Sequence, residues 1–257
     1  MIHEFVQSLE KDLLEYIQYN FSTEESSASF LDWPAWIPVD TRNAFKKNGI
    51  ELLYQHQFEA LKKFKNGDNL VLATATSSGK SLVYQVPILN SIAAGDEKTT
   101  LLLYPTKALA RDQFHKLLGL FANLKSFEIV SNWLYATPFD GDTPTDIRGQ
   151  IQANGKVIFT NPDMLHHSML PNHHKWSEFF KNLDLIVLEE IHQYNGVFGS
   201  HLSYILQRLN RICRHYGSTP RFIGTSASIH NPDVHMSTLI QSEATAITQE
   251  YSPKNEK

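Results

Sequence analysis

Apolar residues recur along this chain in two rhythms. Short, nearly continuous apolar runs lie near Leu70, Leu101, Ile129, Val157, Ile186 and Phe222, and most are separated by stretches whose apolar positions return every third or fourth residue. The first rhythm predicts strands and the second amphipathic helices. The runs Thr99-Thr-Leu-Leu-Leu-Tyr104 and Leu183-Asp-Leu-Ile-Val-Leu188 scarcely alternate with polar residues, as expected of strands covered on both faces. Repeated strand–helix units predict an α/β fold with a mostly parallel sheet and helices on both faces. In such sheets ligands bind at the carboxyl ends of the strands.

Ahead of this alternation, Glu4 to Tyr19 carries Phe5, Val6, Leu9, Leu13, Leu14 and Ile17 at near-helical spacing, which predicts an amphipathic packing helix. Asn20 to Ser29 reads as a polar linker. The segment Trp33-Pro34-Ala35-Trp36-Ile37-Pro38 is too rich in proline for a regular element and reads as a loop anchored on the core rather than a base-stacking platform. Helices are expected at Asp40 to Lys47 and His56 to Phe64.

Composition narrows the class. The chain has 257 residues, 42% hydrophobic and 19% charged, ample for a buried core. Its net charge of −4 excludes a global electrostatic attraction to nucleic acid, so any such site must be local. Cys213 is the single cysteine, which excludes an internal disulfide and an all-cysteine metal site. No apolar run approaches the ~20 residues of a membrane span. The first residues lack the basic and apolar regions of a signal peptide, so a cytoplasmic location without membrane contact is expected.

The sharpest chemical signal runs from Leu70 through Ala73 into Thr74-Ala75-Thr76-Ser77-Ser78-Gly79-Lys80-Ser81. A buried strand, a turn of small residues and a helix start form a phosphate cradle, because successive backbone N–H groups and the helix N-terminus face one anion. Lys80 would reach the β- and γ-phosphates, and the Ser81 hydroxyl would hold Mg²⁺. Thr74 stands where the eight-residue pattern usually begins with glycine.

The strand ending at Leu188 delivers Glu189-Glu190-Ile191-His192. Adjacent carboxylates beyond a phosphate loop suit ATP hydrolysis, Glu189 toward the metal and Glu190 toward the attacking water. His166, His167, His173 and His174 fit no zinc spacing and read as surface and capping residues. Arg208, Arg211 and Arg214 lie along one helix and could touch a nucleic-acid backbone, but read rather as a solvated basic face.

Together with Tyr104-Pro-Thr-Lys-Ala-Leu-Ala110, Thr160-Asn-Pro-Asp163 and Ser226-Ala-Ser228, these segments resemble, in order, the first-domain motifs of superfamily 2 DExH/DEAD-box helicases. Asp140-Gly-Asp-Thr-Pro144, Thr160-Asn-Pro-Asp-Met-Leu-His166 and Gly196-Val-Phe-Gly-Ser-His201 narrow the resemblance to the MrfA/YprA type of DNA repair helicase, related to RecQ-like enzymes. The resemblance implies a RecA-like P-loop NTPase domain at residues 31–250. Residues 1–30 would then form a helix and linker, and residues 251–257 the start of a truncated interdomain linker.

It further implies that Tyr54 and Gln57 recognise adenine, and that His192, Ser226, Ala227 and Ser228 couple the ATP site to the nucleic-acid groove. Pro105, Thr106 and Lys107, Gly141 and Asp142, and Thr160, Asn161 and Asp163 would track a DNA strand, single-stranded or partly duplex. Hydroxyls and backbone N–H groups at helix starts grip phosphates without heavy charge, although the same residue types also serve as ordinary helix caps. Two positions depart from the family pattern: Glu189 replaces the usual Asp and Ser228 the usual Thr, and weaker Mg²⁺ coordination is expected from the first. A second RecA-like domain, in the same chain or a partner, would supply arginines worth about 10³ to 10⁵ in rate, so the first domain alone should hydrolyse ATP slowly. The alternative is a catalytically weak or inactive module that holds ATP and nucleic acid.

Overall fold

The computed structural model describes residues 28–125 and 135–253. The helix expected at Glu4 to Tyr19 and the strand expected near Ile129 lie outside the described residues. In chain order the elements are β1 (Phe30–Leu31), α1 (Val39–Lys47), β2 (Leu53–Tyr54), α2 (Gln55–Lys65), β3 (Leu70–Ala73), α3 (Ser81–Ala94), β4 (Thr99–Leu103) and α4 (Lys107–Phe121). There follow β5 (Ala136–Pro138), α5 (Thr145–Asn154), β6 (Val157–Thr160), α6 (Pro162–Met164), which runs on into a wide π-type turn at Leu165–Met169, α7 (Ser177–Lys181), β7 (Leu183–Leu188), α8 (Gly196–Tyr216), β8 (Arg221–Ser226), α9 (Pro232–Ile240) and β9 (Thr245–Ile247). Among the described residues no helix is long and apolar enough to cross a membrane.

Seven strands form one sheet in the order β5-β6-β4-β7-β8-β3-β9, and every pairing is parallel. The apolar runs are continuous because each strand feeds two cores. Leu102 and Tyr104 point to the core that also holds Leu72, Val187 and Ile223, beneath α1 to α4. Leu101 and Leu103 point to the other, with Val71, Ile186 and Leu188, beneath α5 and α7 to α9. Within α8, Leu202, Leu206, Leu209 and Cys213 form the buried stripe, and Gly217 ends the helix in the left-handed conformation (φ 88°). Burial pushes the Cys213 thiol up to about 11, so it packs as an unreactive apolar group.

Two sheet strands have no clear signature in the sequence. β9 is three residues long, and β5 contains Pro138, which an edge strand tolerates because its outer backbone makes no ladder. The tryptophan segment is an irregular loop whose Trp33 is buried against Phe45, with ring centroids 5.2 Å apart, while Trp36 lies at the surface under the Lys65 ammonium.

A seam of hydrogen bonds closes the domain where its first and last described segments meet. Ser29 N–H donates to Tyr251 O (3.1 Å), Gln55 N–H donates to Ser29 O (3.0 Å), and Tyr251 N–H donates to His56 Nδ1 (3.3 Å). Ser29 and Tyr251, each beyond the boundaries expected at residues 31 and 250, are therefore tied into the fold. His56 is fully buried, and its Nε2 lies 3.0 Å from Ser78 O. Since Nδ1 accepts from Tyr251, the ring is the neutral tautomer that donates from Nε2 to Ser78.

Burial, the largest influence, lowers the His56 pKa below its ordinary 6.5, against the pull of the Ser78 carbonyl. The unfolded chain then takes up a proton that the folded chain refuses. Stability is complete above pH 6.5 and falls as the pH drops below it. In urea denaturation followed across this range, the loss should be smaller in His56→Asn than in the parent chain; an equal loss would show that His56 is not the group responsible.

Candidate nucleotide site and nucleic-acid track

The sheet order divides the chemistry in two. The loops after β3, β7 and β8, which are neighbours, carry Thr74 to Ser81, Glu189 to His192 and Ser226 to Ser228. Those after β4, β5 and β6, also neighbours, carry Pro105 to Lys107, Gly141 and Asp142, and Thr160 to Asp163. All open at the carboxyl ends of the strands, as expected of this architecture.

The loop after β3 is wound tightly. Ser77 (φ 72°) and Gly79 (φ 75°) take the left-handed conformation, and Thr74 Oγ1 lies 2.7 Å from Ser78 Oγ. Lys80 Nζ donates to Thr74 O and Ala75 O, both at 2.8 Å, so its ammonium sits across the mouth of the loop. Burial lowers its pKa, an effect opposed by the carboxylates of Glu190, Glu189 and Glu250. Thr76 and Ser77 are exposed, and Ser81 is half-buried at the start of α3.

Gln57 fixes the same loop from α2. Its Oε1 accepts from Tyr54 N–H (2.9 Å) and its Nε2 donates to Gly79 O (3.0 Å). At φ 75° any side chain at position 79 is strained, and its Cβ would stand 2.4 Å from Gln57 Nε2, so Gln57 would have to leave the loop. The amide still has one N–H and one lone pair to offer. Gln57, Tyr54, Phe30, Gly79, Leu82 and Gln85 line a cavity of about 440 Å³ beside the loop. The Tyr54 ring stacks on His56 (centroids 5.6 Å) and meets Phe30 (5.1 Å), which is exposed.

The two acidic residues occupy unlike environments. Glu189 is buried and accepts a hydrogen bond from the Thr225 hydroxyl, while the Tyr84 phenol, which donates to Gln113 Oε1 (3.3 Å), stands near it. Burial raises its pKa, against those two hydroxyls and with a further push from Glu190. Glu190 is half-buried with a left-handed backbone (φ 55°), a conformation costly for a residue with a Cβ. Its N–H points to Thr225 Oγ1 at 3.4 Å, and its Oε2 lies 3.1 Å from His192 Nδ1. Ala227 N–H approaches the same Nδ1 at 3.4 Å, so His192 stands between the acidic pair and the Ser226 to Ser228 loop. Ser226 pairs with Ala73 in the sheet, and its buried Oγ has no partner among the described residues; Ser228 is exposed.

On the other half, Lys107 Nζ and Arg111 Nη2 each bind the Asp142 carboxylate at 2.9 Å. The Lys107 hydrogen bond, more than any other contact, holds that carboxyl below its usual range. Thr106 Oγ1 accepts from Leu109 N–H (3.3 Å) and Asn161 Oδ1 from Met164 N–H (2.8 Å), so both cap helices. Thr160 is buried, and its hydroxyl donates to Phe139 O at 2.7 Å. That side chain therefore shapes the loop and does not reach solvent. Pro105 is half-buried, while Lys107, Gly141 and Asp163 are exposed.

Four contributors went unremarked in the sequence: His56, Thr225, Tyr84 and Arg111. His56 lies between Tyr54 and Gln57, and Thr225 immediately precedes Ser226, so adjacency offered a hint for both. Tyr84 and Arg111 lie one helical turn beyond Lys80 and Lys107, on faces that only the fold defines.

Comparison with known proteins agrees with this geometry. The chain is 43% identical over 213 residues to "Uncharacterized ATP-dependent helicase YprA" of Bacillus subtilis, covering 81% of this chain and 27% of that protein. It is 42% identical over 193 residues to "ATP-dependent helicase hrq1" of Schizosaccharomyces pombe, covering 75% of this chain and 18% of that one. The solved structure of the DUF1998 helicase MrfA bound to DNA superposes with a TM-score of 0.88 at 38% identity, over 98% of this chain and 33% of that one. The chain thus spans a third or less of these relatives. Structures related at lower identity share the RecA-like fold, among them the Mycobacterium smegmatis helicase Lhr at a TM-score of 0.74. The sequence profile of the DEAD/DEAH box helicase family matches residues 54–236, and the chain belongs to that family.

Proposed function

We propose that this chain is the first motor domain of an ATP-dependent DNA helicase, working with a second RecA-like domain in cis or in trans, in DNA repair. The observation that carries the reading is the Lys80 ammonium held between the Thr74 and Ala75 carbonyls, with Glu189 and Glu190 delivered beside it by β7.

Lys80 exchanges those carbonyls for the β- and γ-phosphates of ATP, while the backbone N–H groups of Ala75 to Gly79 cradle them. Adenine enters the cavity between Phe30, Tyr54 and Gln57, where the free N–H and lone pair of the amide read its edge. The oxygen donors Ser81 and, through water, Glu189 would hold a hard cation, and Mg²⁺ there would neutralise phosphate charge. Glu190 orients the attacking water and accepts its proton, and His192 passes the change at Glu190 to Ala227 and its neighbours. The loops at Thr106, Asp142 and Asn161 follow a DNA strand through backbone groups and the Lys107 ammonium.

The burial of Glu189 favours a second reading: a module that binds ATP and DNA without turning over. Steady-state ATPase with and without single-stranded DNA separates the two. Turnover stimulated by DNA, and lowered at least ~100-fold in Glu190→Gln with ATP binding kept, is expected. Unaltered turnover in Glu190→Gln would refute the assignment of the base.

Glu189→Asp withdraws the carboxylate from the Thr225 hydroxyl and brings it nearer the shorter reach usual in the family. The Mg²⁺ concentration giving half-maximal turnover should fall. The loss of a buried hydroxyl's partner should lower folding stability by ~1–3 kcal/mol. An increased Mg²⁺ requirement would contradict this account of Glu189.

A further inference from the structure

Beyond the third track loop lies a groove, a cavity of about 640 Å³ between the Leu165–Met169 turn and α8. We propose that this groove binds the sugar-phosphate backbone and bases of single-stranded nucleic acid, prolonging the track past Asp163. The inference rests on the reading of the Thr160 to Asp163 loop as part of a DNA path, and adds a site which that reading does not contain.

Position is the first argument. Pro162 and Asp163, at the end of the track loop, form one rim of the groove, so a strand leaving that loop passes directly into it. Charge is the second. His166, His167, His201, Arg208 and Arg211 line the groove against a single carboxylate, that of Asp163. Arg208 and Arg211 form no ion pair with any described residue. With the histidines neutral, the groove carries Arg208 and Arg211 against Asp163, a small local excess of cation in a chain of net charge −4. Its effect is visible at His166, whose pKa is lowered by burial first and then by the neighbouring charges of His167, Arg208 and His201. His166 Nδ1 is buried without a partner among the described residues.

Chemistry is the third argument. Phe198 and Tyr204, 43% and 70% exposed, face this groove with apolar rings. Exposed aromatics beside unpaired arginines are the combination by which proteins stack bases and neutralise phosphates without reading sequence. Tyr204, Arg208 and Arg211 are spaced four and three residues apart on one helix face, presenting ring and guanidinium in register. No group of three or more histidine, cysteine or acidic side chains among the described residues is arranged to hold a metal ion, so the histidines do not form a metal site.

The test uses the full chain and fluorescent oligothymidylates of roughly 6 and roughly 15 nucleotides, titrated at several salt concentrations. In Arg208→Ala/Arg211→Ala, the longer oligonucleotide should bind roughly tenfold more weakly and its log–log salt slope should shrink by about 1.4, while the shorter one is unaffected. Tyr204→Ala should weaken the longer oligonucleotide with no change in slope. Tyr204 and Arg211 are exposed and Arg208 is half-buried, so a melting temperature measured for each variant separates lost binding from lost folding. Equal weakening of both lengths, or of neither, would overturn the inference and leave the reading of the track standing. Failure of either oligonucleotide to bind the parent chain would overturn both. Selective loss of poly-glutamate binding in the double variant, with DNA unaffected, would assign the groove to an acidic protein partner instead.

Discussion

Strands buried on both faces can show polar groups only at their ends. That constraint governs the whole molecule. Because the side chains of β3, β4, β6, β7 and β8 are consumed by two apolar cores, the chemistry is carried by the residues just beyond each strand. The parallel arrangement brings all those residues to one edge. Strand order then decides which loops lie together: β7, β8 and β3 bring the phosphate-type loop to the acidic pair, and β5, β6 and β4 bring together the loops proposed as the track. Nothing in the chain order of these segments states that division.

β8 has the most exacting place. It separates the phosphate-loop strand from the acidic strand, and Thr225 near its end touches both Glu189 and the backbone of Glu190. Tyr84, on the helix that follows the phosphate loop, donates to Gln113 Oε1 (3.3 Å) and lies 3.5 Å from the Tyr104 hydroxyl at the root of the first candidate track loop. Burial drives both phenols well above their ordinary pKa, so they remain hydrogen-bond donors. The extra methylene of glutamate at position 189 is thereby accommodated in a polar pocket within the core. This contact runs beneath the boundary between the two halves of the sheet.

The fold class, the helices at α1 and α2, the two-faced strands and the phosphate loop are legible in the sequence because each depends on local pattern. Gly79 and Lys80 announce themselves through their neighbours. The strands β5 and β9 do not, since three residues carry too little periodicity and Pro138 argues against a strand until its edge position is known. Thr160 reads as a contact residue by motif, yet its hydroxyl turns inward to Phe139 O. Arg208 and Arg211 read as a solvated face, because the opposing histidines come from a turn more than thirty residues earlier. The hydrogen bonds of Thr225 across the sheet, and of His56 between a helix, a loop and the last described segment, depend on tertiary placement that the sequence does not display.

Calorimetric titration of Mg·ATP into the parent chain and Lys80→Ala tests the central claim most directly. The parent chain should bind, and the variant should bind at least ~10-fold more weakly, as expected when a charge-assisted phosphate contact is lost. Equal affinity in the two would mean that the loop after β3 is not the phosphate site.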